Sequence, residues 1–202
     1  MKKNIQQSLN VSTLISTTII NACQKILERD LKKEEMQYYD NKPPKVIVKV
    51  NDLMEQEKKV FSILDNIIEL IKIESSLPQK EFHLDHNHLC DNVFLVLSTN
   101  EDYGTEYFPQ PFYGPSKDLL FSLKKEKFEK IMTEIDQILV QSLISYNLQT
   151  KRLEINSIYP VTTNLWHRSP HINNYTSNTS HTRAFYVGSI TKRSKRMKRA
   201  VP

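Results

Sequence analysis

Glycine is scarce in this sequence: Gly104, Gly114 and Gly188 are the only three among 202 residues. Phosphate-binding loops and dinucleotide fingerprints need several glycines at fixed spacing, because the backbone must approach the ligand closely. Tight β-hairpins also use glycine for positive φ angles. The sequence therefore excludes Walker A and dinucleotide-binding loops, and it disfavours a sandwich or barrel built from short hairpins.

Charge is distributed unevenly along the chain. Acidic residues stop at Glu154, whereas residues 155–202 contain eight of the 28 basic residues, which leaves 20 basic and 23 acidic side chains before them. A mildly acidic body thus ends in a strongly basic tail. Such an asymmetry indicates a polyanionic partner or a nuclear import receptor for the C-terminal end.

Three segments have the apolar spacing of amphipathic helices. The first covers residues 5–36. The second begins at Asn51 or Asp52 and ends at Pro78, and the third runs from a Ser116 cap to about residue 148. The second is the most apolar, with Val60, Leu64, Ile67 and Ile71 on one face. We therefore expect it to be the central core helix.

Short apolar runs between these segments predict strands. Residues 45–50 and 93–97 are rich in β-branched or continuous apolar side chains, residues 153–158 alternate, and residues 184–187 alternate more weakly. The predicted fold class is α+β and helix-rich: three long amphipathic helices, a small sheet of three to four short strands, and a polar basic tail. The alternative is an all-α bundle in which the apolar runs are loops packed on helices.

The composition also predicts a domain organisation. Residues 1–159 form a folded, helix-rich body, and residues 160–183, rich in Ser, Thr and Asn, form a linker. Residues 184–202 supply a weak strand and the basic tail. Hydroxyl side chains interrupt the N-terminal apolar stretch, and no window reaches the roughly 18 apolar residues of a membrane span. We therefore expect neither a signal peptide nor membrane association.

Residues 83–90 hold the side chains best suited to metal binding. Imidazole and thiolate groups suit zinc, and the candidate ligands are His83, His86, His88 and Cys90. Ligands at a two-residue period along one strand splay too far apart for a tetrahedral site, and no second ligand pair lies elsewhere. A zinc-stabilised module or metal-dependent enzyme centred on this segment is therefore the alternative hypothesis, and polar loop residues are the favoured one.

Catalytic motifs are lacking. No glycine flanks a serine in the manner of a nucleophile elbow, and His88 and Cys90 are poorly placed for a thiol–imidazole hydrogen bond. Cys23 lies on the apolar stripe of the first helix, where a buried, inert thiol is expected. We predict a protein without enzymatic activity and without a cofactor, apart from the zinc alternative.

Residues 101–115 contain five aromatic side chains and three prolines, which predicts a long loop. Phe108 and Phe112 are expected to fill the core while the tyrosines cover its rim. Stacking on exposed bases is the alternative, but interleaved acidic residues weaken it. A core or protein-partner role is favoured.

The basic tail carries the functional prediction. Dense positive charge is what import receptors and phosphate backbones bind, and six of eight consecutive residues are basic: Lys192, Arg193, Lys195, Arg196, Lys198 and Arg199. We expect a non-enzymatic nuclear interaction protein, a subunit of a multi-protein or nucleic-acid-associated assembly. Its amphipathic helices would contact protein subunits, and its tail would contact an import receptor or nucleic acid.

Overall fold

The computed structural model describes residues 2–46, 48–49, 67–73, 80–84, 91–97, 101–160, 164–170 and 184–190. Three α-helices lie within these ranges: α1 (Lys2–Leu27), α2 (Lys117–Ser122) and α3 (Lys125–Ser145). The ten strands are β1 (Met36–Tyr39), β2 (Val48–Lys49), β3 (Ile67–Ile73), β4 (Asp91–Leu97), β5 (Glu106–Tyr107), β6 (Phe112–Pro115), β7 (Lys151–Arg152), β8 (Ser157–Pro160), β9 (His167–Arg168) and β10 (Ala184–Ile190).

Helix α1 buries one apolar stripe and ends well before the predicted boundary at residue 36. Ile15, Ile19, Cys23 and Leu27 recur every four residues and are all buried, as expected for one face of an α-helix. Glu28 then adopts a positive φ of 55°, a left-handed conformation that ends a helix. Because the helix ends here, the later residues are available for strand β1, which was not predicted from the sequence.

The third predicted helix is divided into α2 and α3. Ser116 caps α2, because its Oγ accepts a hydrogen bond from Leu119 N at 3.2 Å. The chain then becomes extended at Leu123 and Lys124, with ψ angles of 151° and 146°. Helix α3 restarts at Lys125, and Asn147, at φ 50°, follows its last turn. A short helix and a long one therefore replace one continuous helix.

The strands form three antiparallel sheets in the described parts of the chain. The largest has the order β2-β8-β4-β10-β3, a second pairs β1 with β6, and the third has the order β7-β5-β9. Strand β10 lies between two partners in the first sheet, where Val187 is opposite both Phe94 and Ile71. The C-terminal strand thus pairs on both sides with segments far from it in sequence.

The main core lies between α1, α3 and the β1–β6 ribbon. Ile131, Ile135 and Leu139 of α3 are buried against α1, together with large aromatic side chains. The aromatic members of this core are Tyr39, Phe82, Phe108, Phe112 and Trp166. Phe108 and Phe112 therefore fill the core, as the sequence predicts, whereas Tyr103 and Tyr107 are also buried rather than lying at its rim.

The predicted fold class is wrong. The described residues contain two long helices and one short one, and strands in three sheets, rather than three long helices over a single sheet of three to four strands. An all-α bundle is equally excluded. The predicted central helix contains β3, because β-branched Ile67, Ile68, Ile71 and Ile73 suit an extended strand and β10 supplies the hydrogen-bonding partner.

Several strands lie where the sequence analysis predicts no strand. Strands β5 and β6 lie inside the predicted loop at residues 101–115, and β9 lies inside the predicted linker. Trp166, beside β9, is fully buried. The division into body, linker and tail stays a prediction. No helix among the described residues is long and apolar enough to cross a bilayer.

Candidate functional site

The six basic residues predicted to bind an import receptor or nucleic acid lie outside the described residues: Lys192, Arg193, Lys195, Arg196, Lys198 and Arg199. His86, His88 and Cys90 of the predicted metal cluster also lie outside them. His83 is the member of that cluster that the structure places. The residues that contact His83 in the folded chain therefore determine which chemistry its imidazole can support.

His83 lies opposite His167. Their backbones exchange two hydrogen bonds, from His83 N to His167 O at 2.9 Å and from His167 N to His83 O at 3.1 Å. Residues paired in this way project their side chains to the same face, and the two imidazole ring centres are 4.4 Å apart. His167 is only 8% exposed. The structure therefore brings His83 to a histidine that lies in the predicted linker.

Both imidazoles of this histidine pair (His83 and His167) are oriented by a local hydrogen bond. Nδ1 of His83 lies 2.9 Å from Glu81 O, and Nδ1 of His167 lies 2.9 Å from Leu165 O. A carbonyl oxygen can only accept a hydrogen bond, so each Nδ1 carries a proton. In the neutral ring, Nε2 then bears the lone pair. No group of three or more potential metal ligands is present in the described part of the chain.

A charge cluster lies next to the histidine pair, centred on Glu106 of β5. The Glu106 carboxylate is 4% exposed and accepts hydrogen bonds from Arg152 Nη2 at 3.2 Å and Arg168 Nε at 3.1 Å. Arg152 also pairs with Asp102. Strand register explains the contacts, because Glu106 is opposite Arg152 of β7 on one side and Arg168 of β9 on the other. The three-stranded sheet is thus held by two cations that share one carboxylate.

Arg168 links this charge cluster to α3. Its guanidinium carbon lies 4.4 Å from the centre of the Phe82 ring, within range of a cation–π interaction. Phe82 N in turn donates to Asp136 Oδ1 at 2.7 Å. Burial raises the pKa of Asp136, while the hydrogen bond from Phe82 and the charge of Arg168 oppose that rise. The carboxylates of Glu106 and Asp136 therefore accept hydrogen bonds from groups of the protein itself. Such contacts suit a structural role better than acid–base catalysis.

Cys23 is buried, as the sequence predicts. Burial raises the pKa of its thiol to about 12, so the thiolate needed for nucleophilic attack is scarcely populated near neutral pH. Its position in the core beside Tyr39 makes it a packing residue.

An open groove of about 520 Å³ lies along the surface between α1 and α3. Thr18, Ala22 and Ile26 line it from α1, and Glu134 and Ile138 line it from α3, with a lysine from each helix, Lys25 and Lys130. Leu14, one turn before Thr18 on the same side of α1, is 49% exposed. This interhelical groove is lined by both apolar and charged side chains.

A pair of exposed tyrosines lies on the β1–β6 ribbon. Tyr38 and Tyr113 are directly opposite each other, their ring centres are 5.1 Å apart, and they are 46% and 51% exposed. The alternate residues Tyr39 and Phe112 point into the core. Of the five aromatic residues in the predicted loop, Tyr113 is the exposed one.

Comparison with protein-family models gives no match, and comparison with curated protein sequences gives none either. The chain's own residues therefore carry the functional argument. Sequence reasoning missed His167 and the Glu106 charge cluster because both depend on strand pairing. The only available signal was the single tryptophan, Trp166, whose presence in a polar segment indicates burial.

Proposed function

We propose that the protein is a non-enzymatic nuclear subunit of a larger assembly. Its interhelical groove would receive an amphipathic helix of a partner protein, and its basic tail would bind an import receptor or nucleic acid. The single observation that carries the proposal is the charge division at Glu154, which separates the basic end from the rest of the chain.

The groove supports the protein-binding part of the proposal. Helix-in-groove recognition uses apolar anchors spaced at three and four residues on the incoming helix. Ala22, Ile26 and Ile138 supply the apolar surface such anchors need, and exposed Leu14 extends it along α1. Among the charged lining residues, Lys25 and Lys130 outnumber Glu134, which favours a partner helix with acidic residues beside its anchors.

The tail supports the nuclear part. Six cations in eight residues provide the charge density that phosphate backbones attract. If all six neutralise phosphates, the logarithm of the affinity for duplex DNA should fall with the logarithm of salt concentration with a slope of about −5. If the tail instead binds an import receptor, this steep dependence of the DNA affinity on salt concentration is not expected.

One experiment separates the two parts. The full chain is compared with a variant lacking residues 191–202 and with Leu14→Glu, in nuclear localisation and in copurification from extract with and without nuclease. Tail removal should abolish nuclear accumulation or nucleic-acid recovery and leave protein partners bound. Leu14→Glu should release protein partners and leave localisation unchanged.

Thr17→Glu is the control for added charge on α1, because Thr17 is exposed and does not line the groove. Partner loss in both α1 variants would assign the effect to added charge on the helix and contradict the groove. Unchanged localisation and unchanged nucleic-acid affinity on tail removal would contradict the role of the tail.

A further inference from the structure

Helix α1 exposes a side that carries no charge. In the whole chain 25% of the residues are charged, yet residues 4–24 contain no Lys, Arg, Asp or Glu. The exposed side of α3, by comparison, has charged residues such as Glu126, Lys127 and Glu129. Because the solvent-facing side of a helix is normally charged or strongly polar, the neutral side of α1 indicates a surface that another molecule covers.

Four exposed residues on this side have the spacing of a helix-pairing surface. They recur at alternating intervals of four and three residues, as in the heptads of coiled coils, and form what we call the α1 seam: Asn10, Leu14, Thr17 and Asn21. At 3.6 residues per turn they lie within about 60° of one another around the helix axis, away from buried Ile15 and Ile19. A second helix can therefore lie along the α1 seam without disturbing the core.

We propose that the α1 seam pairs with the α1 seam of a second copy of this chain, antiparallel and about a twofold axis. A twofold contact uses the same surface on both copies, so that surface must be complementary to itself. When Asn10 lies level with Asn21 of the second copy, Leu14 lies level with Thr17 of the second copy. The same pairs recur on the other side of the axis, so amide meets amide and Leu14 meets a threonine methyl group.

Charges at the two ends of α1 determine the orientation. The heptad spacing continues to Lys3 at one end and to Glu28, the first residue after α1, at the other. In the antiparallel pair, Lys3 of each copy lies level with Glu28 of the other, so opposite charges meet. A parallel pair sets each of these residues level with its own equivalent, and like charges repel. Charge complementarity therefore favours the antiparallel pair.

The polar groups of the α1 seam can be covered at small cost. Thr17 Oγ1 donates to Thr13 O at 3.0 Å, and neighbouring Thr18 Oγ1 donates to Leu14 O at 2.9 Å. These hydroxyls therefore keep a hydrogen bond when water is excluded. Each asparagine amide has both donors and acceptors, so the paired amides can satisfy each other. Buried asparagines in paired helices fix the register at some cost in stability.

The contact is small, and Leu14, 49% exposed, is its largest apolar side chain. Complexes that bury less than about 1,200 Å² are mostly weak and transient. One pair of helices belongs to this class, so we expect a reversible dimer. This dimer does not rest on the proposed function, because it is measured with the purified chain alone. Asn21 lies at the border of the two surfaces, since it also lines the interhelical groove.

Sedimentation equilibrium of the full chain, treated with nuclease, tests for the dimer. Thr17→Glu places two carboxylates near the twofold axis and should raise the dissociation constant of the dimer at least about tenfold. Thr133→Glu is the matched control, because Thr133 is exposed on α3 and its hydroxyl likewise donates to the carbonyl four residues earlier, at 3.0 Å. It should leave the dissociation constant unchanged. A chain that stays monomeric up to about 1 mM, or a dimer that responds equally to both variants, overturns the proposal.

Cysteine crosslinking tests the register. In a Cys90→Ser background, Asn10→Cys and Asn21→Cys are treated with a short bismaleimide, separately and as a mixture. Cys23 should not react, because burial raises the pKa of its thiol to about 12. The mixture should crosslink, whereas each variant alone should not, since its two cysteines lie about 16 Å apart along the helix axis. Crosslinking of each variant alone would show a parallel pair, and an uncrosslinked mixture would assign the dimer to another surface. Either result overturns the proposal.

Discussion

The helical core and the three-stranded sheet stabilise their buried residues in different ways. Between α1 and α3 the buried side chains are aliphatic, such as Ile19 and Ile135, and any neighbour of suitable shape can cover them. In the β7-β5-β9 sheet the central buried group is the Glu106 carboxylate, which requires two specific cations. The stability of the helical core therefore depends on the volume of its side chains, whereas the stability of the three-stranded sheet depends on the presence of each charged partner.

The largest expected effect comes from removing the shared carboxylate. Glu106→Ala leaves Arg152 and Arg168 without their common partner, and breaking a buried pair in this way costs about 3–5 kcal/mol of the free energy of unfolding. Urea denaturation monitored by circular dichroism measures the loss. Glu154→Ala, which removes the exposed partner of Lys49, is the control and should leave the urea midpoint nearly unchanged.

A second variant tests whether the cost is electrostatic. Glu106→Leu with Arg152→Met and Arg168→Met replaces the whole group by apolar side chains, a change that is often neutral or stabilising. Recovery of most of the lost stability would support the distinction between the two regions. If the triple variant is as unstable as Glu106→Ala, the contribution of Glu106 is one of packing, and the comparison fails.

Two glycines allow the regions to be compared at the level of the backbone. A Cβ atom at Gly104 would collide with the carbonyl oxygen of Leu153, which is fixed because Leu153 N donates to Thr105 O at 2.9 Å. At Gly114 the nearest atoms are ring edges, with Tyr39 Cε2 at 3.0 Å and Phe112 Cε2 at 3.3 Å. A ring edge can shift slightly, whereas a hydrogen-bonded strand cannot.

Gly104→Ala should therefore lower the free energy of unfolding by about 2–3 kcal/mol and Gly114→Ala by about 1 kcal/mol. Both values come from the same urea titrations. Equal losses would mean that the β1–β6 ribbon is as rigid as the sheet around Glu106. A larger loss at Gly114 would reverse the proposed order of rigidity.

The apolar spacing within a segment predicts its structure correctly where that spacing alone determines which side chains are buried. The apolar stripe of α1 and the burial of Cys23, Phe108 and Phe112 follow from spacing and side-chain type. The alternation of Ile and polar residues does not separate a helix from a strand over a short run. At β3 the antiparallel partner β10, more than 100 positions later, decides the outcome.

The histidine pair and the charge cluster were inaccessible to sequence reasoning for a related reason. His83 and His167, like Glu106 and Arg168, meet only because β9 pairs with two separate segments. No periodicity within one segment records such a contact. The break between α2 and α3 was equally hidden, since Leu123 and Lys124 are both compatible with a continuous helix.

The smallest expected effect concerns Asp136, which joins the two regions. Burial raises the pKa of this carboxyl above its ordinary value of 3.8, so between that value and the raised one the folded protein binds more protons than the unfolded chain. The contribution of Asp136 to stability therefore increases as pH falls through this window.

Asp136→Asn keeps an oxygen for Phe82 N but cannot titrate. The stability of the wild type relative to Asp136→Asn, measured by urea denaturation from pH 7 downward, should rise as the pH approaches 4. A relative stability that falls instead would mean that the charge of Arg168 outweighs burial, and that Asp136 belongs electrostatically to the charge cluster rather than to the apolar core.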